Sequence, residues 1–170
     1  MPPDLAIKLD WSELTIAANV GVLRQISNSW GKSKCGAISN PWAIHIEGAA
    51  AECAVSKALN LYWNIGGKSN KYAGDVGGHE VRYTHRDSGG LVVYAKNDPD
   101  RKYILVTGTA PEYIIRGWIS GHDAQRAEYW QTSLKIPAHL VPQEALSDVR
   151  DLVDHPIGHP PRLGGNSRPS

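Results

Sequence analysis

The chain contains no phenylalanine, one methionine and two cysteines. Without Phe, the aromatic bulk of a core falls to six tryptophans and seven tyrosines. Their N–H and O–H groups need hydrogen-bond partners once buried, so the core is expected to carry polar handles. Cys35 and Cys53 stand apart and form no C-x-x-C pair. That excludes a disulfide framework and a thiolate zinc centre, leaving two reduced, structural thiols. No apolar run approaches the roughly 18 residues that a membrane helix needs. The opening Met1-Pro2-Pro3-Asp4 lacks the basic-then-apolar pattern of a secretory signal. A cytoplasmic protein without a membrane partner is therefore expected. Net charge is only +1, so no global excess of one sign demands a nucleic-acid partner.

What is present fits one core: 170 residues, 41% hydrophobic and 21% charged. The expectation is a single domain over residues 1–155, followed by a disordered Pro/Gly-rich tail at 156–170. Basic residues gather in the middle of the chain: Lys32, Lys34, Lys57, Lys68, Lys71, Arg82, Arg86, Lys96, Arg101 and Lys102.

A first helix is predicted from Asp10 to about Ser27, with Glu13 at the capping-box position and Leu9 and Leu14 as a staple. Residues 28–39 read as a loop. Asn40-Pro41 opens a second helix, with Asn as cap and Pro at the first helical position. Its stripe is Ile44, Gly48, Ala51, Val55, Ala58 and Tyr62, and its end is expected near Tyr62-Trp63. Gly48 and the alanines after it would let the helix approach a sheet closely. Glu52 borders the stripe.

Beyond Gly66-Gly67 the period becomes two. Short strands are expected at residues 74–76, 80–85, 91–95, 103–107 and 113–119, with glycine-rich turns between them. A helix-led chain followed by a strand meander indicates a mixed α/β, α+β-like fold: a central mixed sheet flanked by helices. Residues 143–153 read as a short helix.

The segment Gly74-Asp75-Val76-Gly77-Gly78-His79-Glu80-Val81-Arg82 carries chemistry. The Gly-Gly turn folds Asp75 back towards Glu80, and alternation puts Glu80, Arg82 and Thr84 on one face of the strand. Two carboxylates beside a cation suit phosphodiester hydrolysis. Mg²⁺ (or Mn²⁺) prefers such oxygens, activates water and polarises phosphate, while a cation stabilises the transition state. Asp75 as a turn residue, Glu80 and Arg82 as a surface pair, and Glu52 as a solvated helix residue are the structural alternatives. Gly67-Lys68-Ser69 is no phosphate loop, because Tyr62 stands where its first glycine belongs. His79 reads as an exposed tip residue, and His155 and His159 lack partner ligands. Gln125, Arg126, Tyr129 and Trp130 suit either nucleic acid or packing against the sheet.

At Glu52, Asp75 and Glu80-Val81-Arg82 the chain resembles the PD-(D/E)XK nuclease superfamily. There a helix acid precedes an Asp and then an (Asp/Glu)-x-Lys strand. It is also similar to small phage-encoded members at Ala51-Glu52-Cys53-Ala54-Val55-Ser56-Lys57-Ala58-Leu59 and at Gly117-Trp118-Ile119-Ser120-Gly121. The likeness covers roughly residues 40 to 146. It implies a restriction-endonuclease-like core and a metal-dependent DNA nuclease, in host cytoplasm if phage-encoded, and a possible homodimer. Asp75, Glu80 and the Val81 carbonyl would bind the metal, Glu52 would support metal or water, and Arg82 would stabilise the phosphate. Arg82 departs from the family's lysine and cannot serve as a general base; Lys57, Lys71 or Lys96 are the candidates to replace it. That departure motivates the alternative of a non-catalytic phage protein that binds nucleic acid or a partner.

Overall fold

The computed structural model describes residues 4–30, 40–66 and 74–153. Elements follow in the order β1 (Leu5–Lys8), α1 (Trp11–Trp30), α2 (Pro41–Leu59), β2 (Glu80–Thr84), β3 (Leu91–Val93), β4 (Lys102–Thr109), β5 (Glu112–Ser120), the short turn of helix α3 (Gly121–Ala124), β6 (Trp130–Gln131) and β7 (Ala138–Val141). Cys35, Lys32, Lys34, Lys68, Lys71, His155, His159 and the tail at 156–170 lie outside the described residues, as does most of the expected 28–39 loop.

Both helix starts form from local signals. The Glu13 amide donates to Asp10 Oδ1 at 2.9 Å and the Asp10 amide donates to Glu13 Oε2 at 2.7 Å, a reciprocal capping box. Leu9 and Leu14 both join the core beneath it. On α2 the Ala43 amide donates to Asn40 Oδ1 at 3.1 Å, and Pro41 takes the first turn, where its missing N–H costs nothing. The helix ends earlier than Tyr62-Trp63. Asn60 adopts the left-handed conformation (φ 51°, ψ 42°) and its backbone N–H donates to the Ser56 carbonyl, closing the helix at Leu59. The expected stripe holds only in the middle of α2. Residues 49–55 are buried on every side, whereas Ile44 and Tyr62 are exposed.

The close approach sits elsewhere than expected. A Cβ on Gly48 would meet nothing within 4 Å, but one on Gly21 of α1 would stand 2.5 Å from the Ile46 Cα. Glycine thus sets the α1–α2 distance, not the α2–sheet distance. Gly21→Ala should cost about 1–3 kcal/mol through overpacking against backbone that cannot yield. Gly48→Ala should instead stabilise by roughly 0.5–1 kcal/mol through helix propensity alone. Urea midpoints moving in opposite directions at unchanged m-value would verify both.

The strands form two sheets, not one meander. The larger has the order β1-β5-β4-β2, antiparallel except for the parallel pair β4–β2, and the smaller is β3-β7-β6, antiparallel throughout. Parallel neighbours cannot share a hairpin. The chain therefore leaves β2, lays β3 on β7 and returns as β4 through residues 85–101. The fold is mixed α+β as expected, with a mixed sheet carrying α1 and α2 on one face.

One core lies between helices and sheet (Ala50, Ala54, Val55, Val81, Ile104, Val106, Tyr113, Ile115). The second lies between the two sheets (Leu91, Val93, Tyr103, Leu105, Ile119, Val141). Polar handles are present: Tyr113 Oη donates to Glu47 Oε2 at 2.8 Å and Tyr103 Oη to the Asp98 carbonyl at 2.8 Å. Cys53 is a free, buried thiol whose pKa burial pushes up to about 11, in keeping with a structural role. Residues 143–153 form two 3₁₀ turns, Gln143–Ala145 and Val149–Leu152, in place of the expected helix. Among the described residues no helix is long and apolar enough to cross a membrane.

A shift of register interrupts the β4–β5 ladder. Leu105 pairs with Gly117 and Val106 with Ile115, leaving Arg116 as the extra residue of a bulge. Its guanidinium is buried and binds Thr107 Oγ1 (2.8 Å), Asp4 Oδ2 (2.7 Å) and Asp87 Oδ1, joining three distant segments.

Candidate active site

Residues 74–76 do not form a ladder strand. They are one arm of a tight hairpin, with bridges Val76↔His79 and Trp63↔Val76. Gly77 and Gly78 both take positive φ (56° and 86°), the conformation a two-residue hairpin loop requires. The Asp75 amide donates to the His79 carbonyl at 2.7 Å. The hairpin then delivers the chain into β2, so Asp75 is folded back to the start of that strand, where the sequence placed it.

β2 is the edge of the larger sheet. The N–H and C=O of one strand residue point to the same side. The Val81 amide donates outward to Asp75 Oδ2 at 2.9 Å, so the Val81 carbonyl also faces the open edge. One oxygen of Asp75 is thereby fixed, and among the described residues no hydrogen bond engages the other.

Glu80 and Arg82 share the face of their ladder neighbours Tyr103 and Leu105, which belong to the inter-sheet core. Arg82 Nη1 lies 3.4 Å from Glu80 Oε2 and 3.3 Å from the Val81 carbonyl, and its guanidinium carbon stands 5.1 Å from the Tyr103 ring centroid. This stacking holds the cation beside the carboxylate.

Glu52 comes from the helical face and is 7% exposed. Arg24 of α1 grips it through two bonds, Nη1 to Oε1 at 2.6 Å and Nη2 to Oε2 at 2.7 Å. Trp63 Nε1 donates to Oε2 at 2.8 Å. The site thus wraps around the free edge of β2: Glu52 on one face, Glu80 and Arg82 on the other, Asp75 at the rim. Sequence reasoning missed Arg24 and Trp63. One signal was available, since Arg24 is the only charged residue of α1 after Glu13 and a single charge in an apolar helix needs a partner.

The electrostatics follow from this arrangement. Burial, reinforced by Glu52 and Glu80, pushes the Asp75 carboxyl up to about 7, against the Val81 N–H and the charge of Arg82. Burial opposes the charge of Arg24, but its bonds to Glu52 and the field of Glu52 and Asp75 outweigh that and hold its proton more tightly than usual. His79 is pulled below the ordinary histidine value by burial, then by Lys102 and Arg101. It is part-buried, not a freely exposed tip.

Of the replacement lysines, Lys57 is committed elsewhere, donating to the Lys8 carbonyl (2.9 Å) and Glu13 Oε2 (2.7 Å). Lys71 lies outside the described residues, and Lys96 sits in the turn after β3. Gly121-His122-Asp123 forms α3 at the end of the larger sheet where Glu80 begins β2. Its Gly121 amide donates to the Arg101 carbonyl at 2.7 Å. Trp130 packs edge-on against His139, with ring centroids 4.8 Å apart, which favours the packing role for that segment.

Among the described residues no three His, Cys, Asp or Glu side chains gather tightly enough to hold a metal by themselves. Two carboxylates and a backbone carbonyl do converge at the edge of β2. Such a hard oxygen set could hold Mg²⁺, which keeps several waters. The chain matches no protein-family model, no characterised protein and no solved structure at a significant level.

Proposed function

We propose that this protein is a metal-dependent phosphodiester hydrolase acting on DNA, with its active site at the open edge of β2. The observation that carries the reading is the convergence of Asp75, the Val81 carbonyl and Glu80 beside the stacked Arg82. Asp75, Glu80 and Val81 would hold Mg²⁺ or Mn²⁺, which when bound supplies a polarised phosphate and an activated water. Asp75 is positioned for this by its bond to the Val81 amide. Arg82 stays protonated at every working pH, so its part is to bind the scissile phosphate and stabilise charge as it develops. Glu52 supports the site through charge and packing, because both its oxygens are already engaged by Arg24 and Trp63. In this reading the larger sheet and its two helices are a restriction-endonuclease-like core.

Purified protein on supercoiled and single-stranded DNA, with Mg²⁺, Mn²⁺ or chelator, is the direct test. Glu80→Ala should lose cleavage by a factor of about 10² or more while keeping its melting temperature within a few degrees, as expected when a ligand of the metal that would polarise the phosphate and activate the water is removed. Undiminished cleavage by Glu80→Ala would sink the proposal.

A second reading has its own observations: Arg82 in place of lysine, and a Glu52 carboxylate with both oxygens already engaged by Arg24 and Trp63. It makes the protein a nucleic-acid- or partner-binding protein of nuclease fold that does not cut. DNA binding without cleavage under any metal condition would favour it.

A further inference from the structure

At the end of the larger sheet where Glu80 opens β2, Lys102 opens the neighbouring parallel strand and Ser120 closes β5. Three basic residues meet there. Arg101 Nη1 donates to the Gly78 carbonyl at the hairpin tip, 3.0 Å away. Lys102 and Arg101 are near enough to His79 for their charges to bear on it. Lys102 itself is exposed, with its Nζ 4.9 Å from the centroid of the Trp118 ring. Neighbouring acids are already matched, Asp98 with Arg101 at 3.6 Å and Asp100 with His122 at 3.0 Å. Among the described residues no carboxylate lies within ion-pair distance of Lys102.

A lysine held over an aromatic ring, at the same end of the sheet as the start of β2 and without an acid of its own among the described residues, is a point charge oriented for an anion. We propose that Lys102, seated on Trp118, binds a nucleic-acid backbone phosphate next to the one held at Asp75, Glu80 and Arg82. The inference rests on the nucleic-acid reading of the site and adds where the strand runs. From the edge of β2 it passes round the end of the sheet, by Arg101 and the hairpin tip, to the face on which Trp118 lies. Lysine suits this position because backbone phosphates need a cation but no bidentate geometry. The Trp118 ring restricts the side chain beforehand, so less freedom is lost on binding.

Each phosphate neutralised by a protein cation lowers the slope of log affinity against log salt by about 0.9 for duplex and 0.7 for single strands. The experiment is fluorescence anisotropy of labelled duplex and single-stranded oligonucleotides between 50 and 200 mM NaCl, roughly the range over which such slopes are read. It is run with chelator, so that binding is seen apart from cleavage. Lys102→Ala should weaken binding by about 3- to 10-fold and flatten the slope by nearly one contact, and Lys102→Glu should weaken it further. Lys135→Ala, in the connection between β6 and β7, should match the wild type, and melting curves of all variants should superimpose.

If wild type binds and Lys102→Ala keeps the same slope, the inference is overturned, whether or not metal-dependent cleavage persists. A lost contact in a protein that never cuts would support the Lys102 site while overturning the hydrolase. A wild type that binds neither oligonucleotide overturns this site as well.

Discussion

Asp75→Asn should make the protein more stable at pH 8, with a rise in Tm of up to roughly 8–15 °C. The wild-type carboxyl is partly buried and faces Glu52 and Glu80, and its pKa is pushed up to about 7 from an ordinary 3.8. A carboxyl raised in the folded state contributes stability that is fully present below its unfolded value and is lost as pH rises through about 7. Between those values the native state holds a proton that the unfolded chain has released, so stability falls with increasing pH. A rise of this size is worth about 4 kcal/mol at the upper limit, because each tenfold change in proton affinity is about 1.36 kcal/mol. Asparagine removes the charge but keeps an oxygen to accept the Val81 amide, so little packing is lost. Thermal melts at pH 5 and pH 8 provide the check: the wild type should lose stability across that interval and the variant should lose much less. Metal works in the opposite direction and narrows the gap. At a Mn²⁺ concentration about 100 times its Kd, wild type should gain about 2.7 kcal/mol, and Asp75→Asn almost none. A wild type whose Tm ignores Mn²⁺ at pH 8 would remove the metal from the proposed function.

Arg24→Met should be the most damaging substitution outside the hairpin. The pair it breaks is buried, with side-chain exposures of 20% for Arg24 and 9% for Glu52. Removing one partner strands the other charge, which typically costs 3–5 kcal/mol, or about 6–20 °C in Tm for a chain of this size. The Trp63 N–H would still donate to Glu52, but one neutral donor does not replace a bidentate guanidinium. The double variant Arg24→Met/Glu52→Leu should recover most of the loss, since a buried ion pair replaced by apolar groups of similar size is often neutral or better. If the double variant were as unstable as the single one, packing around α1, not the stranded charge, would be the cause. Cleavage by the double variant would then show how far Glu52 is needed for chemistry once its structural cost has been removed.

What was legible in the sequence was local. Asp10 with Glu13, Asn40 with Pro41, and Gly77-Gly78 act within a few residues, and each produced the cap or turn expected of it. The convergence of Asp75 with the start of β2 was readable for the same reason, because a two-residue loop leaves the chain little choice. The rest depends on pairings across long separations. β1, β6 and β7 are two to four residues long, too short for periodicity to register, and they exist because β5, β3 and one another supply partners. The meander failed because adjacency in sequence was taken for adjacency in space, while β2 pairs with β4 and β3 joins another sheet. Glu52 looked like the border of a helical stripe; its environment is made by Arg24, 28 positions earlier, and Trp63, 11 positions later. That the acids lie on both faces of one edge was not readable from β2, since alternation along a strand does not say which core each face meets.

The bulge at Arg116 has a consequence for how β5 can be rewritten. Before it, odd-numbered residues such as Tyr113 and Ile115 meet the helices; after it, Trp118 does, and Ile119 turns to the second sheet. The strand is read in two frames, with Arg116 as the inserted letter. Deleting that one residue would fuse the frames into plain alternation with every pairing kept, so Trp118 would stay under Lys102 and Ile119 in its core. What would go is the guanidinium that joins Thr107, Asp4 and Asp87. The extra residue is therefore an anchor set into the strand, and the order of side chains on either side of it does not depend on it.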